Sequence, residues 1–171
     1  IGFDGIAIGG LSVGEPPATK GYPPSVFSKL TQLVEKAGNS ADSAGTMTAI
    51  YTVLAEGDDQ QDPIADACRA ILDGHIVLTR ELAEQGHYPA IDIGASISRV
   101  MPQIVPELQL KQAYLLKRLY ARYQQVRELI PLGAYQRGKD PELDVAVDMF
   151  PFLEKFLCQG LYDAHGFAAS Q

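Results

Sequence analysis

Three kinds of side chain in this sequence have the chemistry and the setting for a functional site. The first is a carboxylate cluster, Asp58, Asp59 and Asp62, lying between an apolar β-branched run and a helical pattern led by Pro63. Carboxylates so placed cap a helix and complement its dipole. They also stand at the C-terminal edge of a strand, where α/β proteins bind ligands. The second is Arg99, set among small residues in Ala95-Ser96-Ile97-Ser98-Arg99. On composition it reads as a surface or salt-bridging arginine or as a catalytic one. The third is Tyr88, which follows Gly86-His87 and precedes Pro89. Its ring either joins the core or is presented to a flat ligand.

Other chemistries lack their motifs. There is no Gly-x-x-x-x-Gly-Lys-Ser/Thr, hence no phosphate cradle, and no Gly-x-Ser-x-Gly. Gly9-Gly10 with Gly14 does not fit the dinucleotide fingerprint, and His75, His87 and His165 have no metal-ligand spacing. Cys68 and Cys158 are far apart and are read as reduced, buried, small hydrophobes. Fourteen basic against 21 acidic residues give a net charge of −7, with no Lys/Arg run, so no nucleic-acid partner is expected.

The elements that must position these residues follow from length and patterning. The 171 residues, 46% hydrophobic and 20% charged, suit one ordinary folded domain, or a domain with an appendage. No apolar run reaches the ~20 residues of a membrane span. The start, Ile1-Gly2-Phe3-Asp4, has no basic signal-peptide region and reads as a fragment edge. Glycines and prolines over residues 1–24 predict a loop, with a short strand at Ile6-Ala7-Ile8. A helix capped by Ser25 and ended by Gly38 follows, then a buried strand over Met47–Leu54. Asp62 caps a helix closed by Gly74. Next are a strand at His75–Leu78, a helix at Arg80–Gln85, an extended stretch at Ala90–Ile93 and a turn at Gly94. This alternation indicates an α/β sheet. Beyond Pro106 the apolar period turns helical. One helix reaches Ile130, and a second runs from about Leu143, kinks or restarts at Pro151 and ends near Gly160.

Several blocks resemble the flagellar and type III secretion export ATPases. They are Gly14 through Phe27 (Gly-Glu-Pro-Pro-Ala-Thr-Lys-Gly-Tyr-Pro-Pro-Ser-Val-Phe), Tyr51 through Asp66, Leu72 through Leu78, Gly86 through Ile93, Ser96 through Met101 and Gly133 through Pro141. The resemblance spans residues 11–171, and its Tyr-Pro-Ala-Ile-Asp-Ile and Gly-Ala-Tyr blocks look flagellar. It implies the C-terminal part of a RecA-like P-loop NTPase core over 16–101, followed by an all-α domain over 102–171. It also implies ATP hydrolysis-driven protein export by a homo-hexamer, with ATP and Mg2+ as ligands of the complete protein. Arg99 would be the arginine finger reaching a neighbouring subunit's nucleotide. Tyr88 would stack on the base, joined by Phe156 or leaving Phe156 to the core. The implied partners are a central stalk protein near the loop Gly133–Leu143 and export chaperones. The implied location is cytoplasmic, peripheral to the inner membrane and its export gate.

The family's phosphate-binding loop and magnesium-holding carboxylates are expected to precede this chain, which alone should neither hold ATP tightly nor hydrolyse it. The alternative role is a non-catalytic helical module binding the stalk or a chaperone. Residues 1–15 instead resemble a segment of tRNA-guanine transglycosylase, including Gly9-Gly10-Leu11, and suggest a fusion junction.

Overall fold

Prolines start both helices of the first of two units into which the chain divides, at Leu72/Asp73. The computed structural model describes residues 14–16, 21–40, 45–55 and 61–167, so Asp58, Asp59 and the expected Ile6–Ile8 strand lie outside the described residues. Helix α1 (Pro24–Val34) has Pro24 at its first position and Pro23 before it. A fixed φ and a missing N–H cost nothing there. The expected cap, Ser25, is therefore already inside the helix. Its N–H donates to Glu15 Oε1 (2.8 Å), and its hydroxyl has no hydrogen-bond partner among the described residues. Helix α1 also stops short of Gly38, which pairs in a minimal antiparallel hairpin, β1 (Gly38–Asn39) with β2 (Thr46–Met47). Helix α2 (Pro63–Ile71) starts where the sequence indicates: Asp62 Oδ1 accepts the N–H groups of Ile64 (2.9 Å) and Ala65 (3.1 Å). Val26 and Leu30 of α1 pack on Ile64 and Cys68 of α2 to make the core.

The buried strand expected over Met47–Leu54 is not formed. Residues 48–55 carry no regular structure, and Ile50 and Leu54 are 94% and 91% exposed. β-Branched residues favour extended chain, but a strand exists only where a second backbone pairs with it. The alternation survives without the ladder. Tyr51 Oη donates to the Leu33 carbonyl (3.2 Å), and Val53 packs against the core.

The second unit opens with an antiparallel pair, β3 (Gly74–Leu78) and β4 (Ile91–Ser98), joined through the short helix α3 (Arg80–Glu84). Thr79 caps α3, its Oγ1 accepting the Leu82 N–H (3.2 Å). The turn expected at Gly94 is a bulge inside a longer β4. Pairing jumps from His75 opposite Ile97 to Val77 opposite Asp92. Local hydrogen bonds hold the surplus residues. Asp92 Oδ1 accepts the Ala95 N–H (2.9 Å), Ser96 Oγ donates to the Asp92 carbonyl (2.6 Å), and Ser96 Oγ accepts the Val77 N–H (3.0 Å). A bulge bends its strand and raises the local twist.

A short helix α4 (Met101–Ile104) leads into the long α5 (Glu107–Val126) and α6 (Pro141–Leu157). Helix α5 ends before Ile130, with turns over 127–133. Helix α6 starts earlier than expected and runs through Pro151 without restarting. Packing offsets the N–H that Pro151 lacks: Ala146 and Leu153 bury against Leu119 of α5, and Phe150 stacks on Tyr123 with ring centroids 3.6 Å apart. Among the described residues no helix is long and apolar enough to cross a membrane.

Asp140 caps α6 and ties it to α5. Its Oδ1 accepts the N–H groups of Glu142 and Leu143 (both 3.1 Å), and its other oxygen pairs with Arg122. The Leu143 N–H, aided by Arg122, holds the Asp140 carboxyl below its ordinary value, against a smaller opposing effect of burial. A folded value below the unfolded one gives stability that is whole above the unfolded value, ~3.9, and is lost as pH falls through the folded one. The helical pair should therefore weaken below about pH 4. Asp140→Asn should remove part of that acid dependence in ellipticity melts; an unchanged slope would count against the cap.

Candidate functional site

Tyr88 sits on a short segment whose backbone is held from both sides. Upstream, Gly86 (φ 74°) closes α3, its N–H donating to the Ala83 carbonyl (3.0 Å) and the His87 N–H to the Leu82 carbonyl (2.9 Å). This is a left-handed glycine cap, and it fixes the direction in which the chain leaves the helix. Downstream, the Tyr88–Pro89 peptide is cis and the Thr79 N–H donates to the Ala90 carbonyl (3.0 Å). From the far end of the unit, the Gln159 N–H donates to the Tyr88 carbonyl (2.8 Å). The same junction puts Cys158 Sγ 3.3 Å from His87 Nδ1.

Two aromatic side chains near this junction are open to solvent, Tyr88 at 55% and Phe156, in the last turn of α6, at 57%. The structure thus ties the segment bearing Tyr88 to the helix end bearing Phe156, with both rings left out of the core. A flat ring on a fixed backbone is suited to stacking on a heteroaromatic ligand. Cys158 is exposed as well, contrary to its expected burial, because it lies just past the end of α6; Cys68, in the α1–α2 core, is buried.

Arg99 follows β4 directly and is exposed. Its N–H donates to the Asp73 carbonyl (2.7 Å), and the Ser98 hydroxyl accepts the Met101 N–H (3.2 Å) to start the next helix. The strand leading to it is anchored by Lys117 Nζ, which donates to the Ser96 carbonyl (2.6 Å), and by His75 Nε2, 3.0 Å from the Ala95 carbonyl. Arg99 thus follows a strand end whose backbone is held on both sides.

Gly74 sets that register, a role not legible in the sequence, where it reads as a helix terminator. A Cβ at Gly74 would lie 2.6 Å from the Ile97 carbonyl oxygen, a backbone atom that cannot swing aside. Gly74→Ala should therefore separate β3 from β4 beside Arg99 and destabilise the unit by about 1–3 kcal/mol, the usual range for overpacking. Denaturant titration checks this; an unchanged midpoint would contradict the close approach.

Asp62 is accounted for as a helix cap. Among the described residues no group of three or more His, Cys, Asp or Glu is arranged to hold a metal ion.

Residues 8–98 match the ATP synthase alpha/beta family, nucleotide-binding domain, and residues 105–171 match the T3SS EscN ATPase C-terminal domain. The chain belongs to the ATP synthase alpha/beta family, in the branch that carries the type III secretion ATPase C-terminal domain. It is 62% identical over 161 residues to the flagellum-specific ATP synthase of Pseudomonas aeruginosa, covering 94% of this chain and 36% of that one. To the flagellum-specific ATP synthase of Salmonella typhimurium it is 60% identical over 153 residues, covering 90% and 34%. The chain thus spans about a third of the length of the curated relatives it matches.

Among solved structures, the assembled ATPase EscN of the enteropathogenic E. coli type III secretion system superposes with a TM-score of 0.93 at 47% identity, over 98% of this chain and 40% of that one. EscN in complex with its central stalk EscO gives 0.84 at 46% identity, over 98% and 39%. The fold is the C-terminal part of a RecA-like α/β core followed by an all-α region. The family match begins at residue 8, inside the segment that resembles a transglycosylase. The comparisons give that second resemblance no support. A short glycine-rich run carries too few distinctive side chains to separate unrelated families.

Proposed function

We propose that this chain is the C-terminal part of an ATPase that drives flagellar protein export, with residues 16–101 completing its nucleotide-binding core and 102–171 its helical domain. Arg99 is the arginine finger, directed at the nucleotide of a neighbouring subunit in a homo-hexamer. Tyr88 stacks on the adenine, with Phe156 beside it. ATP and Mg2+ bind the complete protein, whose phosphate-binding loop and magnesium ligands are not among these 171 residues. The helical domain faces a central stalk protein and export chaperones, in the cytoplasm at the inner-membrane export gate.

The observation that carries this reading is the exposed Tyr88 ring on a segment fastened to the Phe156 helix end, in a chain with this family match. Stacking of a base on an aromatic side chain is worth about 1–3 kcal/mol. In a protein that also carries the phosphate-binding loop, Tyr88→Ala should weaken ATP binding about 5–150-fold while Tyr88→Phe stays near the parent. Equilibrium titration with a fluorescent ATP analogue measures both, and equal affinity in all three proteins would refute the stacking role.

One observation favours a second, non-catalytic role for the helical region. Val145, Met149 and Phe152 recur at helical spacing on α6 and are all exposed, as a docking face would be. A stalk-protein pull-down with the Phe152→Glu variant separates this role from the catalytic one: retained hydrolysis with lost capture assigns the face to docking.

A further inference from the structure

The contact between Cys158 and His87 is not used by the nucleotide reading, and its geometry is that of a nucleophile beside a base. Cys158 is exposed and its Sγ lies 3.3 Å from His87 Nδ1. The glycine cap at Gly86 fixes the His87 backbone from which the imidazole extends. With the proton of the neutral ring on Nε2, Nδ1 accepts the thiol proton. Such pairs make a cysteine reactive where it is accessible.

His87, though not Cys158, also lines a cleft of about 210 Å³ in which Gln124, Arg127 and Glu154 stand beside Leu82, Tyr120 and Phe150. Glu154 stands one helical turn before Cys158, its backbone carbonyl accepting the Cys158 N–H (2.9 Å). Arg127 and Glu154 suit the carboxylate and ammonium groups of a small zwitterionic peptide. Cys68 offers none of this: it is in the core, and burial, with a lesser contribution from Asp62, raises its thiol above the ordinary value.

We infer that Cys158 is a modification site, at which thiol–disulfide exchange with a low-molecular-weight peptide disulfide loosens the Tyr88 segment. Cys158 Sγ gives its proton to His87 Nδ1 and attacks one sulfur of the disulfide. That S–S bond breaks as the Cys158–S–S–R bond forms. The departing thiolate takes the proton from the imidazolium and leaves as the free thiol, so the peptide disulfide is the oxidant, Cys158 is oxidised, and no outside base is consumed. The attached peptide occupies the space beside His87 and strains the neighbouring Gln159 N–H bond to the Tyr88 carbonyl. The regulatory part of this inference rests on Tyr88 being the base-stacking residue.

The test uses the folded chain with oxidised glutathione, and with uncharged 2-hydroxyethyl disulfide as the comparison. Intact-mass measurement and peptide mapping should find one added thiol on Cys158, none on Cys68, and none on either in Cys158→Ser. A free thiol is only a few per cent thiolate at neutral pH, so loss of the base slows exchange by up to about 30-fold. His87→Gln and His87→Asn, which keep the backbone bond to Leu82, should therefore react about 3–30-fold more slowly, and the parent and both variants should react alike when denatured. Arg127→Gln should abolish any preference for glutathione over the uncharged disulfide. Amide exchange at Gln159 should quicken on modification. Equal rates with and without His87, Cys68 reacting as fast as Cys158, or unaltered Gln159 exchange would each overturn the inference.

Nucleotide titration of the longer protein then separates the two readings. If Tyr88→Ala leaves affinity unchanged, the stacking role fails, whatever Cys158 does. If Tyr88→Ala weakens binding but glutathionylation does not, the regulatory inference fails and the stacking role stands.

Discussion

Arg99→Ala, in a protein that also carries the phosphate-binding loop, should lower the hydrolysis rate about 10³–10⁵-fold and leave ATP binding within a few-fold of the parent. That is roughly 4–7 kcal/mol of transition-state stabilisation. The size follows from where charge develops. The transferring phosphoryl group spreads negative charge over its equatorial oxygens, and a guanidinium aimed there does more for the transition state than for bound ATP. The geometry suits such a role, since Arg99 is exposed, immediately beyond a strand whose register is locked at Gly74 and braced by Lys117. Arg99→Lys should fail nearly as badly, because an ammonium lacks the planar fork. Steady-state kcat and an independent nucleotide dissociation constant decide the matter. Retained turnover in the alanine variant would remove the finger assignment.

Leu119→Ala should destabilise the α5–α6 pair by about 2–5 kcal/mol, the range for deleting a buried leucine side chain where the site cannot collapse. Collapse is blocked here. Leu119 faces Ala146 and Leu153, with Leu116 and Tyr123 packed around them, and the Tyr123–Phe150 stack holds the helices apart at the next turn. Such a loss is a large share of the stability of an ordinary domain. Leu119→Met keeps the volume and should cost less than about 1.5 kcal/mol. Urea titration of far-UV ellipticity provides the comparison; an alanine variant within about 0.5 kcal/mol of the parent would show that this contact does not hold the helices together.

The parts of the fold that were legible from residue order were those decided within one turn of chain. Asp62-Pro63 announces a helix start because the side chain and the backbone it caps are neighbours. Gly86 announces a helix end for the same reason: only glycine adopts that positive φ without strain. Where a local signal competed with another, the reading slipped by a residue or more. Ser25 has the chemistry of a cap, but Pro24 begins the helix first. Pro151 has the chemistry of a break, but the turns on either side of it are packed on α5 and the helix continues.

The candidate site was half legible. Tyr88 and Arg99 stood out by their type and setting, and Phe156 only through the family resemblance. Their arrangement was not visible. Nothing in residue order joins Tyr88 to Gln159, which are distant in sequence, or makes Gly74 the residue that sets the approach to Arg99.

Residue order alone therefore sufficed for the family, the α/β-then-helical plan and the helix starts that carry their own caps. These rest on local sterics and short-range hydrogen bonds, which neighbouring residues determine between themselves. The tertiary structure decided that residues 48–55 have no ladder, that Gly94 lies in a bulge, that Cys158 is exposed beside His87, and that Tyr88 is bound to the end of α6. Each of these depends on which backbone arrives from far away in the chain, and no local pattern encodes that.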